Sequence, residues 1–178
     1  MKNFSFAFIL FFSACATTTN YGAADDILQF AIGLRDNNSS LIESHIDKPA
    51  LKSQAMTLMR DMAIKEASSK MGNSLGAQAA AIATVDLLKP VFEAIANEAL
   101  KPNNLAYFAR RAGMQNNLDM PSRFSATLAI NNIDANRVCI RDPKTKKCLL
   151  YFGKYSNVWR LNGFDENVFS ERLRQLKK

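Results

Sequence analysis

The chain has 178 residues, 48% of them apolar and 22% charged, with a formal net charge of +7. That balance excludes a disordered polymer and is enough for one domain with a real core. A single histidine, His45, excludes two-histidine zinc sites and the histidine-rich metal patterns.

The amino terminus reads first. Met1-Lys2-Asn3 carries one positive charge, Phe4 to Phe12 is apolar apart from Ser5, and Ser13-Ala14-Cys15 follows. A basic start, a short apolar run and small residues describe a secretory signal. The run is shorter than the ~20 residues needed to span a bilayer. Small residues immediately before a cysteine resemble the signal of bacterial lipoproteins, here with Phe12 where Leu is commonest. The resemblance implies removal of residues 1–14, lipidation of the Cys15 sulfur and acylation of the new amino terminus. Ala16 in place of Asp then points to the outer membrane, with the protein facing the periplasm. The alternative is an ordinary signal ending Ala14-Cys15-Ala16, which leaves a soluble periplasmic or secreted product. Residues 15–24 are small and polar and read as a flexible lipidated tether. The domain then spans 25–178.

Its first part, 25–113, reads as four or five helices. Asp25 or Asp26 can cap a helix whose Ile27, Phe30, Ala31 and Leu34 form one stripe. Ser40 and Glu43 match a capping box. Asp47-Lys48-Pro49 restarts the chain as a helix to about Met71, with Leu51, Ala55, Leu58 and Met62 on one face. Met56, Met59, Met62 and Met71 fit a helical core better than copper binding. Ser74 caps an alanine-rich helix, and Gly72-x-x-x-Gly76 reads as small-residue packing. Pro90 should split this helix near Asp86. Pro102 opens a short helix ended by Gly113.

The second part, 122–164, reads as an antiparallel meander of about four strands. Phe124, Ala126, Leu128 and Ile130 alternate with polar or small residues and predict a strand. Asn131-Asn132 and Asp134 mark a turn, Arg137–Arg141 a second strand, Cys148–Gly153 a third, and Val158–Phe164 a fourth. Asp165 caps a terminal helix, 165–178, carrying Phe169, Leu173 and Leu176. The fold class is therefore α+β, with N-terminal helices packed on one face of a C-terminal sheet.

Cys139 and Cys148 remain once Cys15 is assigned. Asp142-Pro143-Lys144-Thr145 between them suits a type I turn, which sets the two cysteines opposite each other as a disulfide. Two free thiols or a redox pair are the other readings, and no Cys-x-x-Cys helix start supports them.

Charge is uneven. Residues 15–100 hold seven Lys/Arg and ten Asp/Glu, whereas 101–178 hold fifteen and six. Arg137, Arg141, Lys144, Lys146, Lys147, Arg172, Arg174, Lys177 and Lys178 are a candidate surface for anionic lipid or an envelope protein. Solvated charge that serves solubility is the alternative. Nucleic acid is not expected as a partner.

The stretch Asp36…Leu41…Ile46-Asp47-Lys48-Pro49-Ala50-Leu51-Lys52-Ser53-Gln54 resembles the opening of a bacterial family of unknown function found in short exported or anchored proteins. That family shows Val/Ile-Asp-x-Pro-x-Leu-Lys-x-Gln. Lys101-Pro102-Asn103-Asn104-Leu105 resembles its later helix start, and Val158-Trp159-Arg160-Leu161 its closing tryptophan strand. More loosely, helices followed by a meander ending in Trp-x-Leu are similar to nuclear-transport-factor-like cone folds, which often enclose a pocket. The family lends no catalytic residues. In this chain Asp47 and Pro49 read as a helix start.

No nucleotide loop or dinucleotide fingerprint is present. A Ser-His-acid set would have to use His45, which reads as a surface or helix-end residue. Tyr151, Phe152, Tyr155 and Trp159, interleaved with Lys154 and Arg160, read as sheet core with a polar outer face rather than a stacking platform. The expected function is a non-enzymatic envelope lipoprotein without cofactor or metal, serving as a binding or scaffold module. The alternative is a small apolar ligand carrier or cone-fold enzyme with a pocket between helices and sheet.

Overall fold

A computed structural model describes residues 6–71, 74–111, 114, 119–142 and 145–168; for residues 6–20 and Met71 only the backbone path is described. The element order is α1 (Phe6–Asp36), α2 (Ser39–Ser44), α3 (Lys48–Met71), α4 (Leu75–Leu87), α5 (Lys89–Ala99), α6 (Pro102–Arg111), α7 (Arg123–Ala129), β1 (Ile130–Asp134), β2 (Arg137–Arg141), β3 (Cys148–Tyr155) and β4 (Val158–Phe164). A further helical turn begins at Glu166. The strands form one antiparallel meander in the order β1-β2-β3-β4. The class is α+β, as the change of period from 3.6 to 2 implies.

Local signals explain most helix ends. The Asp47 carboxylate accepts from Ala50 N–H at 3.1 Å and opens α3, with Pro49 in its first turn. Ser74 accepts from Ala77 N–H and opens α4. Pro90 lacks the donor a continuous helix would need, so α4 stops at Leu87 and α5 starts at Lys89. Pro102 opens α6. Asp165 accepts from Val168 N–H at 2.9 Å, the cap expected of it. Gly113 and residues 169–178, the rest of the expected terminal helix, lie outside the described residues.

Several expectations are corrected. Asp25 and Asp26 cap nothing, because α1 is already helical far upstream of them. The expected tether at 15–24 is helical as well, and Ala23 and Ala24 are fully buried. They extend the stripe of Ile27 and Phe30 by one turn, and their small size lets other elements approach α1 closely. The cap of α2 is Asn38, which accepts from Leu41 N–H at 3.2 Å, so Ser40 falls inside the helix. The strand expected over 124–130 is the helix α7. Ser122 caps it by accepting from Ser125 N–H at 3.1 Å, and Ala126 packs inward while Phe124 and Leu128 point out. Apolar residues at every second position also occur four apart, so the same letters fit a short helix once a cap is present. The first strand begins at Ile130 and consumes the expected turn at Asn131-Asn132. Gly76 faces open space, so it serves no close packing.

The inner face of the sheet presents Val138, Phe152, Trp159 and Leu161 to Ile27, Phe30, Ile42 and Ile46. Phe30 meets Phe152 edge-on at 6.1 Å between ring centres. These side chains occupy the space between helices and sheet. The alanine-rich α4 packs on α3 instead, with Ala81 and Val85 as its buried residues. The β3–β4 hairpin turns at Ser156 and Asn157, both at positive φ, as a two-residue hairpin turn requires.

β4 lies at one edge of the sheet, and its open side is closed by the helical half. Asp26 accepts from Trp159 N–H at 2.8 Å. Leu161 N–H donates to His45 O and Leu161 O accepts from Asp47 N–H, both at 2.8 Å, so Ile46 pairs in parallel with Leu161. The Gln54 side-chain amide then accepts from Phe164 N–H at 3.0 Å and donates to Phe164 O at 2.7 Å. Unpaired edge groups invite association with other strands, and these contacts remove them. Gln54→Ala deletes both bonds to Phe164. It is expected to cost about 1–3 kcal/mol, read as a lower urea midpoint at unchanged slope; an unchanged midpoint would show that the amide contributes nothing.

Candidate functional site

His45 is the natural starting point for chemistry. It terminates α2 and is only 8% exposed, so it is a helix-end residue but not a surface one. Its Nδ1 lies 2.8 Å from Leu41 O and 2.9 Å from Ser44 Oγ, while Nε2 lies 3.7 Å from Asp26 Oδ1. Ser, His and Asp are thus neighbours. A carbonyl oxygen only accepts, however, so the bond to Leu41 O requires the proton on Nδ1. That nitrogen cannot also take a proton from Ser44, whose hydroxyl itself lies 3.1 Å from Leu41 O. The arrangement ties His45 to the last turn of α2, sets its Nε2 beside Asp26 of α1, and does not activate a nucleophile. Among the described residues, no three His, Cys, Asp or Glu side chains gather as a metal site.

Cys139 and Cys148 form the disulfide, with Cα atoms 5.6 Å apart. The turn predicts them directly opposite each other, and the register corrects this. Cys139 pairs with Tyr151 and Arg141 with Cys148, with a register shift between Ile140 and Arg141. Asp142 accepts from Thr145 N–H at 2.8 Å and tightens the turn.

The candidate basic surface divides. Arg141, Lys146 and Lys147 sit at or beside the β2–β3 turn. Arg137 lies at the opposite end of β2, paired with Asp134 at 2.6 Å. Lys144, Arg172, Arg174, Lys177 and Lys178 lie outside the described residues. Of the aromatic set, Phe152 and Trp159 are core, Tyr151 is half-buried on the outer face and Tyr155 is exposed. Tyr155 folds back over Gly153, where a Cβ would stand 2.6 Å from Asn162 Nδ2 and 3.0 Å from the Tyr155 ring. Lys154 lies over the Trp159 ring at 6.0 Å.

The depressions lined by described residues include two open ones. One of about 380 Å³ opens on the outer sheet face between Gln54, Ile133, Arg137, Tyr151, Asn162 and Gly163. Another of about 310 Å³ lies between α3 and the α4–α5 corner, beside Met56, Arg60, Val85, Asp86 and Phe92. Neither lies between the sheet and the alanine-rich helix, where the sequence suggested a cavity.

At the amino-terminal end of the described side chains, α7 packs on α1. Arg123 pairs with Asp25 and lies over the Tyr21 ring at 5.4 Å. A Cβ on Gly22 would stand 3.9 Å from Trp159 Nε1. This end of α1 therefore meets the Trp159 end of the sheet, while the basic β2–β3 turn lies at the other end. Sequence reasoning missed Asp26, Gln54 and the exposed pair on α7. Gln54 belonged to the Ile46–Gln54 pattern, whose spacing was its only available signal.

No protein-family model, curated protein or solved structure matches this chain.

Two measurements probe these local features. Replacing Cys139 and Cys148 by Ala is expected to lower stability by about 2–3 kcal/mol, the chain-entropy value for so short a loop; reductant should have the same effect on the parent chain and none on the double variant. Asp134 is held below the usual carboxylate range first by the Asn136 backbone N–H and then by Arg137. A lowered folded-state value contributes stability above the unfolded value and loses it as pH falls through the folded one. Carbon-13 titration should place the Asp134 midpoint below that of an ordinary aspartate, and Arg137→Gln should raise it. A midpoint in the ordinary range would refute the pairing.

Proposed function

We propose that the protein is an envelope lipoprotein, anchored through Cys15 at the periplasmic leaflet of the outer membrane, whose domain acts as a non-enzymatic binding or scaffold module. The observation that carries this reading is the Cys139–Cys148 disulfide. Such bonds persist in oxidising compartments, and bacterial export is the route to one. The leader ending Ser13-Ala14-Cys15 points to the same compartment independently. Two or three acyl chains, each contributing about 0.8 kcal/mol per buried methylene, anchor a domain of this size firmly. Among the described residues no helix is long and apolar enough to cross a membrane. In this reading the anchor is the acyl chains alone.

A module role is supported by what the domain leaves open. No helix is among the residues around the outer sheet depression apart from Gln54 of α3, and Tyr151, Arg137 and Asn162 face it. The ligand-carrier alternative needs a cavity between helices and sheet, and Phe30, Ile42, Phe152 and Trp159 occupy that space.

Cys15→Ser tests the anchor. The parent chain is expected in the membrane fraction, without residues 1–14 and with added acyl mass, and the variant in the soluble fraction or unprocessed. Unchanged fractionation, or an unacylated cysteine in the parent, would reject the assignment.

A further inference from the structure

α7 is amphipathic in an unusual sense for so short a helix. Ala126 is buried against α1, while Phe124 and Leu128, four residues apart, are 62% and 70% exposed. Both are large apolar side chains on the same face. The helix packs on α1 beside Tyr21 and Asp25, through Arg123.

Tyr21 stands six residues beyond Cys15. Six residues span about 9 Å as helix and about 20 Å fully extended. An acylated Cys15 would therefore hold this end of the domain within that distance of the lipid. The exposed apolar face on α4 and α5 lies differently, and a further exposed pair, Tyr107 and Phe108, stands on α6. α3 leaves Leu161 at Asp47 and passes Phe164 at Gln54, so it runs away from the Trp159 end of the sheet. Leu75, 87% exposed, follows the far end of α3.

We propose that α7 is a membrane-seating element: Phe124 and Leu128 enter the boundary between headgroups and acyl chains of the leaflet that holds the anchor. The inference rests on the lipoprotein reading and adds the orientation of the domain to it. The flanking residues suit an interface. Tyr21 is amphipathic, and Lys154 supplies a cation at the headgroup level. The Asp25 carboxylate at this end is paired with Arg123. Phe and Leu on one face and a cation beside them are the composition of interfacial helices.

The test uses the full acylated chain reconstituted in phosphatidylethanolamine–phosphatidylglycerol vesicles. Leu128→Cys, Phe124→Cys and Leu75→Cys each introduce one free thiol for an environment-sensitive fluorophore, all at exposed positions. The expected result is a blue shift at 124 and 128 and loss of most of their emission when lipids carry a quencher, with little change at 75. Equal, water-like emission at all three positions on an anchored protein overturns the seating while leaving the anchor intact. A blue shift at 124 and 128 without lipid quenching also overturns it, since protein would then cover the face. Absence of acyl mass on Cys15 removes both the anchor and the inference.

Discussion

β4 holds the two halves of the molecule together. Its inner edge pairs with β3, and its outer edge meets four groups from the helical half: the Asp26 carboxylate, the His45 carbonyl, the Asp47 amide and the Gln54 side chain. Each bond contributes about 1 kcal/mol net, but leaving one of these groups buried and unmade costs more. The edge is closed by parts of one chain more than a hundred residues away in sequence. That closure sets where α1, α2 and α3 stand, and hence which face of the sheet is covered.

The same closure explains the stretch from Ile46 to Gln54. Ile46 bridges Leu161, Asp47 caps α3 and donates its backbone N–H to β4, Leu51 is buried, and Lys52 pairs with Glu93 of α5. Glu93 is held below the usual carboxylate range by that bond. Gln54, two turns into the helix, reaches Phe164. The pattern is a latch between helix and sheet, and its residues are occupied by structure rather than by chemistry. His45 is likewise committed, through Leu41 O, to the end of α2.

Among the described residues, what remains open includes the outer sheet face, the basic β2–β3 turn and the exposed apolar side chains on α4–α5, α6 and α7. α7 runs directly into β1, whose Ile130 pairs with Ile140 next to Arg141. The disulfide braces the hairpin that carries Arg141, Lys146 and Lys147, and it sits at the end of the sheet away from α1's amino-terminal side chains. A domain tethered near Tyr21 would therefore present that turn away from its tether. The hairpin cations are thus divided, Arg137 at one end of β2 and Arg141, Lys146 and Lys147 at the other, which the linear sum could not show.

Local signals were legible in the sequence where one residue decides a backbone feature. Asp47, Ser74, Pro90, Pro102 and Asp165 each place a helix boundary through their own donor, acceptor or missing N–H, and Cys139 and Cys148 name each other because only two cysteines remain. Alternation marked β2, and the flanking turns marked β4 and all but the last two residues of β3. Alternation misassigned 124–129, because a period of two and a spacing of four share positions, and the Ser122 cap together with the packing of Ala126 selects the helix. The roles of Asp26 and Gln54 required the tertiary structure. Their partners are backbone groups of β4, and backbone groups have no signature in the sequence. The division of the hairpin cations and the exposed pair on α7 were decided there too, since exposure depends on which side of α7 packs on α1.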